Sequence, residues 1–435
     1  MNFTIHRGTH EIGGSCIEVR HADTRLIMDI GMPLVAPGGE RFDMKTYKGL
    51  SDQDLVKEGI LPNLSGCYRW DTENRPVDGV LISHAHFDHY GFASYLRDDT
   101  HYYLGDGTRA LMEILAIYSG HDCKVEKYST IKSGKLFQVG SISVTPYLMD
   151  HSAFDAYAFL LEAGGKRLLY TGDFRAHGRK AYALPSLLKG VPKGIDDLLL
   201  EGTLIGREGD PKSEEEIEAE YYDLFKTTEH LVMVAASGQN IDRLVSIYKA
   251  AKRANRLFVI DPYIANVLEQ LSKLASLPHP SPGFENIKVY FPSSITERLK
   301  RIGRTEDFTK YGKDKIDYKG ISGNLSRTVM LIRPTVLDYL KKIGGIDGAT
   351  VVWSQWSGYL KEDYNKVFQE FVHERGMKLV SIHTSGHASM ETMKNLVNEL
   401  QPKRIIPVHT NKPEEFQDLF RGFLVEIAED GVPMR

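Results

Sequence analysis

The stretch SHAHFDHYG, residues 83–91, places three histidines and one aspartate within six positions. It follows VDGVLI, whose continuous apolar run predicts a buried strand. On an extended segment His84 and His86 point to the same side, so both can reach one metal ion. Asp88 and His89 come where the chain turns into a helix, so they face a second point nearby. A lone histidine is usually a structural polar residue, but this concentration predicts a small cavity that holds two metal ions.

The length, composition and net charge of the chain restrict the class of protein. A chain of 435 residues with 42% apolar residues predicts two or three domains with full cores. The net charge of −4 does not by itself indicate a nucleic-acid partner. No stretch approaches the ~18 apolar residues of a membrane span, and the start lacks a signal-peptide pattern, so we expect a cytoplasmic protein without a membrane partner. Cys16, Cys67 and Cys123 show no C-x-x-C spacing, which favours free thiols over a disulfide framework.

Two patterns alternate along the chain. The first part predicts strands joined by turns, including a hairpin in which Gly164 and Gly165 supply positive φ at a two-residue turn. From about Glu214, short apolar strands alternate with amphipathic helices. Such alternation predicts a parallel sheet covered by helices, and it continues through the tail in KLVSI, SMETMKNLVNEL, RIIPV and PEEFQDLF.

The histidine stretch completes the H-x-H-x-D-H motif of the metallo-β-lactamase superfamily, which the chain resembles. The other motifs of that superfamily occur in the same order, as Asp29 in RLIMD, His151 in LMDHSAF and Asp173 in YTGDFR. Three further residues resemble the beta-CASP branch, whose members process nucleic acids: Glu201 in LLLEGT, His387 in HTSGHAS and His409 in IIPVHT. The closing segment is similar to ribonuclease J, as are AASGQNIDRL and VVWSQWSG.

The resemblance implies an α/β fold, an αββα metallo-β-lactamase sandwich with an inserted parallel α/β beta-CASP domain. We expect residues 1–204 to form the first part of the sandwich, 205–377 the insert and 378–435 the return segment. The segment from Pro33 to Pro76 is longer than the expected link, and its role is open. Typical ribonuclease J members carry a further C-terminal domain that helps assembly. We expect none after Arg435, which leaves a homo-oligomer as an option.

The resemblance also implies the metal ligands. His84, His86 and His151 would hold one Zn²⁺, and Asp88, His89 and His409 would hold the other, with Asp173 between them. Mn²⁺ accepts similar ligands. Two ions about 3.5–4 Å apart activate a shared hydroxide and clamp a phosphate. The two ions carry a charge of +4, and the two aspartates reduce the local charge to about +2. This local charge attracts a phosphodiester even though the net charge of the whole chain is negative.

Further roles have alternatives that the sequence leaves open. Asp29 would accept a hydrogen bond from a ligand histidine, or it caps a turn before Gly31. Glu201 would orient His387, which would donate a proton to the leaving oxygen, or the two form a structural hydrogen bond. The helix after His387 has an N-terminal dipole that disfavours an imidazolium there. The predicted catalytic residues are therefore Asp88, Asp173, Glu201 and His387.

Three stretches are candidates for contact with the substrate. Ser237 and Asn240 lie in a loop that opens a helix, where backbone N–H groups favour a phosphate, but a plain capped helix explains them nearly as well. A second phosphate would contact His383, Ser385 and Gly386, unless this loop simply faces solvent. The basic stretch 297–320 interleaves Phe308 and Tyr311 and could stack bases, or it is a solvated helix face.

The function these residues favour is a metal-dependent nuclease that hydrolyses phosphodiester bonds of single-stranded nucleic acid. RNA is favoured as the substrate, with DNA open, and the mode is endonucleolytic, 5′-exonucleolytic or both. A hydrolase of small esters or lactones is the alternative enzyme, but a small substrate does not need a second lobe. A non-catalytic nucleic-acid-binding scaffold is the alternative from another class. Such subunits typically lose metal ligands, whereas every ligand position here is filled.

Overall fold

The computed structural model of the protein describes residues 1–72, 76–121, 125–207 and 209–435. Across these residues the strands are, in chain order, β1 (Asn2–Arg7), β2 (Cys16–His21), β3 (Thr24–Met28), β4 (Gly79–Leu81), β5 (His101–Leu104), β6 (Lys127–Thr130), β7 (Phe137–Val139), β8 (Ile142–Met149), β9 (Ala156–Ala163), β10 (Lys166–Tyr170), β11 (Asp197–Glu201), β12 (Val232–Ala235), β13 (Leu257–Ile260), β14 (Ile287–Val289), β15 (Thr328–Ile332), β16 (Thr350–Trp353), β17 (Lys378–Ser381), β18 (Arg404–Val408) and β19 (Pro433–Met434). The α-helices are α1 (Asp52–Lys57), α2 (Phe87–Tyr90), α3 (Asp106–Ser119), α4 (Ala183–Gly190), α5 (Glu214–Thr227), α6 (Ile241–Arg253), α7 (Pro262–Leu271), α8 (Ser293–Arg301), α9 (Glu306–Thr309), α10 (Tyr318–Ser322), α11 (Leu337–Leu340), α12 (Ser357–Leu360), α13 (Lys366–Glu374), α14 (Met390–Leu400) and α15 (Glu415–Leu419).

Two sheets pack face to face. The first has the order β19-β1-β2-β3-β4-β5-β6 and the second the order β18-β11-β10-β9-β8-β7. Inward-facing apolar side chains such as Leu26, Met28, Phe159 and Leu161 fill the space between them. Helix α3 covers the outer face of the first sheet, and α4 and α14 cover that of the second. The predicted αββα sandwich is therefore confirmed.

The order of strands in the sandwich determines where the site lies. Strand β4 runs parallel to β3, and β10, β11 and β18 run parallel to one another. Because the carboxyl ends of parallel strands meet at one edge of a sheet, the loops that follow these strands come together. The pairing of Glu201 with Val408 brings the end of the chain to this edge. The predicted hairpin also forms, with Gly164 at φ 57° and Gly165 at φ 74° between β9 and β10.

The third sheet belongs to the insert. Its order is β14-β13-β15-β12-β16-β17 and every pair in it is parallel, as the alternating pattern predicts. Helices α5, α6 and α7 pack on one face and α13 on the other, and α7 also contacts α3 of the sandwich. Because β17 pairs with β16, the sheet continues four residues beyond Met377. We therefore propose the expected three-part division with the return segment beginning after Ser381.

The segment from Pro33 to Pro76 packs on the sandwich rather than forming a simple link. Its described part contains α1, and Leu55, Ile60 and Tyr68 are buried in the core on the outer side of the first sheet. Cys16 and Cys67 are buried free thiols, whereas Cys123 lies outside the described residues. In the described parts of the chain, no helix combines the length and apolar character that crossing a membrane requires.

Candidate metal centre and catalytic site

The loops at the sandwich edge bring the seven predicted metal ligands together. Four sets of donor atoms, each within 4.8 Å of one another, could hold a metal ion. The sets are His84, His86 and His151; His84, His89 and Asp173; Asp88, His89 and His409; and Asp173, Glu201, His387 and His409. Because the sets share members, they form one continuous cluster in which Asp173 touches both sides.

Three imidazoles form the first side of this cluster. Nε2 of His84 lies 3.1 Å from Nδ1 of His86, and Nε2 of His151 lies 3.3 Å from the same atom. A tetrahedral Zn²⁺ with Zn–N bonds of about 2.05 Å separates its nitrogen ligands by about 3.3 Å. Nδ1 of His151 donates to the carbonyl oxygen of Gly386 at 2.6 Å, so its Nε2 presents a lone pair to the cluster. The three nitrogens therefore suit a single ion.

The second side combines Asp88, His89 and His409. Nε2 of His409 lies 3.3 Å from Oδ2 of Asp88, and Nδ1 of His409 lies 2.8 Å from Oγ1 of Thr203. Nε2 of His89 lies 3.2 Å from Oδ2 of Asp173. Thr203 thus holds the far nitrogen of His409, which aims the other nitrogen at the cluster.

Asp29 accepts a hydrogen bond from the ring nitrogen of His89 that points away from the cluster. Oδ2 of Asp29 accepts hydrogen bonds from Nδ1 of His89 at 2.8 Å, the hydroxyl of Tyr170 at 2.8 Å and Oγ of Ser83 at 2.7 Å. Its Oδ1 accepts from the backbone N–H of Ser83 at 2.7 Å. Asp29 has φ 58°, a left-handed conformation that aspartate tolerates better than most residues. The carboxylate therefore fixes both the tautomer and the aim of His89.

Two buried atoms without hydrogen-bond partners indicate whether metal ions fit this cluster. Nε2 of His89 and Oδ1 of Asp173 are buried and have no hydrogen-bond partner among the described residues. Leaving such an atom unpaired costs roughly 1–3 kcal/mol, and native structures rarely leave one without a reason. Both atoms face the cluster. Metal ions would satisfy both atoms, so the residues present fit the metal centre that the motif implies.

Burial and neighbouring charges keep several ligands in the forms that bind metal. Burial, with the neighbouring imidazoles, lowers the pKa of His84 and His151 far below the usual range. Burial also lowers the pKa of His86 to about 4. For Asp88, burial alone would raise the pKa, but the surrounding imidazoles lower it to about 2. Neutral imidazoles and ionised carboxylates are the forms that coordinate metals.

Two other histidines show that the cavity attracts positive charge. Burial alone would lower the pKa of both His89 and His387, but nearby carboxylates outweigh it and raise both values. For His387 the main carboxylates are Glu201 and then Asp173, so the pKa is raised although we expected the helix dipole to disfavour the imidazolium. The groups of the chain itself thus create a negative potential, which favours cations in the cavity.

Glu201 and His387 lie beside the metal ligands. Nδ1 of His387 lies 3.2 Å from Oε1 of Glu201 and 3.7 Å from Oδ2 of Asp173. Glu201 is 1% exposed, whereas the side chain of His387 is 22% exposed. The carboxylate is therefore fixed in the interior, and the imidazole reaches the surface of the cavity.

The loop 237–240 contacts the histidine loop at one end and caps helix α6 at the other. Oδ1 of Asn240 accepts from the backbone N–H of Arg243 at 3.1 Å and so caps α6. Oγ of Ser237 accepts from the backbone N–H of Gln239 at 3.3 Å, and Nε2 of Gln239 donates to the carbonyl oxygen of Ala85 at 3.3 Å. These contacts match the capped-helix alternative for Asn240.

The loop 383–386 is tied to the site rather than facing solvent. The carbonyl oxygen of Ser385 accepts from Nε2 of His177 at 2.8 Å. A Cβ on Gly386 would lie 2.5 Å from Oγ of Ser152, so glycine is needed for this close approach. Burial lowers the pKa of His383 to about 4, and its Nδ1 is buried without a hydrogen-bond partner among the described residues.

Phe308 and Tyr311 of the basic stretch 297–320 do not present their rings to solvent. Phe308 is 7% exposed and packs with Ile295 and Leu299, and Tyr311 is 3% exposed with its hydroxyl donating to Glu269 at 2.7 Å. Both rings belong to the core of the insert. The idea that they stack bases is therefore wrong, and the charged residues around them form the solvated face.

The sequence alone does not single out several residues that orient the predicted metal ligands. Ser83 and Tyr170 bind Asp29, and Thr203 binds His409. Each lies within three residues of a predicted site residue, which is the only local signal they give. Arg175 is also missed, although it lies two residues after Asp173 and joins three buried carboxylates.

Comparison with known proteins agrees with this architecture. Residues 64–210 match the beta-lactamase superfamily domain, and residues 373–428 match the Zn-dependent metallo-hydrolase RNA specificity domain. Ribonuclease J of Helicobacter pylori (strain B128) is 23% identical over 414 residues, which cover 92% of this chain and 55% of the relative. Ribonuclease J of Mycobacterium tuberculosis (strain H37Rv) is 24% identical over 437 residues, which cover 94% of this chain and 68% of the relative.

A solved structure shares the whole fold. A protein of unknown function from Enterococcus faecalis V583 superposes with a TM-score of 0.79 at 21% identity, covering 100% of this chain and 99% of that one. The chain spans only about half the length of the Helicobacter relative. The sandwich and its histidine-rich edge define a metallo-β-lactamase fold. The chain is ribonuclease J-like, because it is similar to ribonuclease J over 92% of its length and matches both the beta-lactamase superfamily domain and the RNA specificity domain, as the beta-CASP resemblance implies.

Proposed function

We propose that the protein is a metal-dependent nuclease that hydrolyses phosphodiester bonds of single-stranded nucleic acid, with RNA as the favoured substrate. The observation that carries the proposal is one continuous, largely buried cluster beside the Glu201–His387 pair, formed by His84, His86, Asp88, His89, His151, Asp173 and His409. The RNA specificity domain match includes both His387 and His409 and supports RNA over DNA.

The proposed cofactor is a pair of Zn²⁺ ions, with Mn²⁺ as the alternative. His84, His86 and His151 would hold one ion, Asp88, His89 and His409 the other, and Asp173 would contact both. Bound in this way, the ions would stabilise the charge of the phosphate and lower the pKa of an attacking water. Asp29 and Thr203 keep His89 and His409 aimed at the ions.

The proposed proton donor is His387. Its Nδ1 faces two carboxylates, which only accept hydrogen bonds, so this nitrogen carries a proton. Glu201 and Asp173 also raise the pKa of His387, which favours the imidazolium, and in that form Nε2 carries a second proton that it can give to the leaving oxygen while Glu201 holds the ring. The phosphate contacts of Ser237, His383, Ser385 and Gly386 remain part of the proposal through backbone N–H groups and the His383 ring. The backbone N–H of Asn240 already donates to the carbonyl oxygen of Ser237 at 3.3 Å, so a phosphate would have to displace that bond.

The test combines metal analysis with cleavage. Metal content of the purified protein should approach two ions per chain, and a 5′-phosphorylated single-stranded RNA should be cleaved faster than DNA of the same sequence. Mononucleotide products would indicate exonuclease action, and internal fragments would indicate endonuclease action. His151→Ala should abolish cleavage, whereas His373→Ala, an exposed histidine on α13, should cleave as the wild type does.

Two outcomes would overturn the proposal in different directions. Hydrolysis of a small ester or lactone without cleavage of either nucleic acid would favour the alternative hydrolase. Tight RNA binding by metal-loaded protein without any cleavage would favour the scaffold.

A further inference from the structure

A cluster of exposed aromatic side chains follows β16. Trp356 is 44% exposed, Tyr359 is 39% exposed and Tyr364 is 49% exposed. The rings of Trp356 and Tyr359 are nearly perpendicular, with centroids 5.4 Å apart and an interplanar angle of 87°. Single exposed apolar residues are normal, but grouped aromatic rings mark a binding surface.

Two arginines complete this cluster, Arg41 from the sandwich and Arg207 from the first residues of the insert. Cζ of Arg207 lies 5.0 Å from the ring centroid of Trp356. Cζ of Arg41 lies 4.2 Å from the ring centroid of Tyr364. Arg207 follows β11, and Arg41 belongs to the segment 33–76 whose role was open. We call Arg41, Arg207, Trp356, Tyr359 and Tyr364 the aromatic rim, which crosses from the sandwich to the insert.

The loop on one side of the aromatic rim begins at the metal centre. Burial raises the pKa of Tyr359, and the charge of Asp88 adds to this effect. A Cβ placed on Gly13 would lie 2.8 Å from Cγ of Leu34 and 3.1 Å from Cβ of Asp88. Leu34 begins the loop that carries Arg41, so this loop starts beside the second group of metal ligands.

We propose that the aromatic rim is a stacking site for an unpaired nucleobase adjacent to the phosphate that is cleaved. This inference rests on the proposed nuclease function. Every nucleobase has a π-face, so stacking on Trp356 accepts any sequence, and a base in a duplex has no free face to offer. The rim would therefore select single strands next to the metal centre.

The chemistry of the rim favours a nucleobase over an apolar partner. Its exposed members are flat rings and planar guanidinium groups. Guanidinium groups stack on aromatic faces and also pair with phosphates, so the same surface suits both parts of a nucleotide. The ring of Trp356 packs on Gly358, where a Cβ would lie 2.2 Å from its Cζ3. Gly358 therefore sets the position of the ring.

The test is equilibrium binding of a short, phosphorothioate-linked single strand, compared with the same strand carrying one abasic residue at successive positions. Trp356→Ala should weaken binding of the intact strand roughly 5- to 150-fold, which corresponds to about 1–3 kcal/mol for one stacked base. Trp356→Phe, which keeps a ring, should retain most of the affinity. At one position the abasic residue should weaken binding to the wild type but not to Trp356→Ala.

Tyr128→Ala is the matched control. Tyr128 is 39% exposed, and Cζ of Arg109 lies 4.9 Å from its ring centroid, so it repeats the arginine-over-ring arrangement on the edge strand β6. Its removal should leave binding unchanged.

The two proposals can fail separately. If Trp356→Ala binds as the wild type does, or if every abasic strand loses affinity equally in both proteins, the stacking site is wrong. Cleavage of single-stranded RNA by the metal-loaded wild type in the same experiment would leave the nuclease function standing. If the wild type neither binds the phosphorothioate-linked strand nor cleaves unmodified single-stranded RNA, both proposals are overturned.

Discussion

Nδ1 of His387 lies 3.2 Å from Oε1 of Glu201 and 3.7 Å from Oδ2 of Asp173. The Glu201 carboxylate is itself held by three backbone N–H groups, those of Phe174, Thr203 and Ala388. The carboxylate therefore cannot move without breaking these bonds, and it fixes the imidazole ring at the edge of the metal centre. This relationship is why we propose His387 for proton delivery rather than for metal binding.

We predict that His387→Ala retains both metal ions and lowers the single-turnover cleavage rate by about 10²–10⁴-fold, the usual contribution of one general acid. His409→Ala should instead lose or weaken the second ion, because His409 faces Asp88 at 3.3 Å. Metal analysis beside single-turnover cleavage measures both effects.

Two results would contradict this separation. Loss of an ion from His387→Ala would mean that this histidine is a ligand. Cleavage by His387→Ala at the wild-type rate would make the pair with Glu201 structural, and another group would have to serve the leaving oxygen.

We predict that Asp29→Asn lowers metal affinity by about 10- to 100-fold, the usual effect of disturbing a residue that orients a ligand. Asparagine keeps the left-handed backbone, so the change is confined to the side chain. Its amide nitrogen is a donor, and it would replace an oxygen that now accepts from Ser83, His89 and Tyr170. Competition with a chelator measures the affinity.

Asp155→Asn is the matched control for this change. Asp155 also has positive φ, at 63°, and its carboxylate accepts from the backbone N–H of Gly107. The variant should keep the wild-type metal affinity. Equal losses in both variants would mean that the effect comes from general destabilisation.

Local patterns made the sandwich and half of the site predictable. Two successive glycines specify the turn between β9 and β10, and the histidine stretch carries its ligands within six positions. His409 is different, because it lies 321 residues from Asp88 in sequence. Only the parallel pairing of β18 with β11 brings it to the site, so its role came from family resemblance rather than spacing.

The sequence could not separate buried from exposed aromatic residues in charged stretches. Phe308 and Tyr311 lie among lysines and arginines yet are buried in the insert. Trp356 lies in a less charged stretch yet is exposed, with the guanidinium of Arg207 over its ring. Burial of this kind depends on which helices pack together, and periodicity over a short helix does not report it.

We predict that Arg175→Met lowers the free energy of unfolding by about 3–5 kcal/mol, because it leaves buried carboxylates without their counter-ion. The guanidinium is fully buried and contacts Asp150 at 3.3 Å, Asp242 at 2.7 Å and Glu214 at 3.4 Å. Urea unfolding measures the loss. Arg421→Met is the control, because Arg421 and its partner Asp418 are both 81% exposed, and it should change stability little. Equal stability of the two variants would contradict the prediction.

The last prediction concerns the pH dependence of stability through His177. Burial, with a contribution from Arg175, lowers the pKa of His177 in the folded protein to about 4, from a usual value of 6.5, even though its Nε2 donates to the carbonyl oxygen of Ser385. The folded protein therefore binds this proton less readily than the unfolded chain does. The stabilisation is present above about pH 6.5 and is lost as the pH falls towards 4.

His177→Gln removes the titrating group but keeps an amide donor for the carbonyl oxygen of Ser385. Between pH 6.5 and pH 4 the wild type should therefore lose on the order of 1–3 kcal/mol more of its unfolding free energy than the variant loses. Urea unfolding of both proteins at several pH values measures this difference, and the shared titration of all other groups cancels in the comparison. Parallel losses in the two proteins would mean that His177 titrates normally in the folded state, and its burial beside Arg175 would then have no energetic consequence.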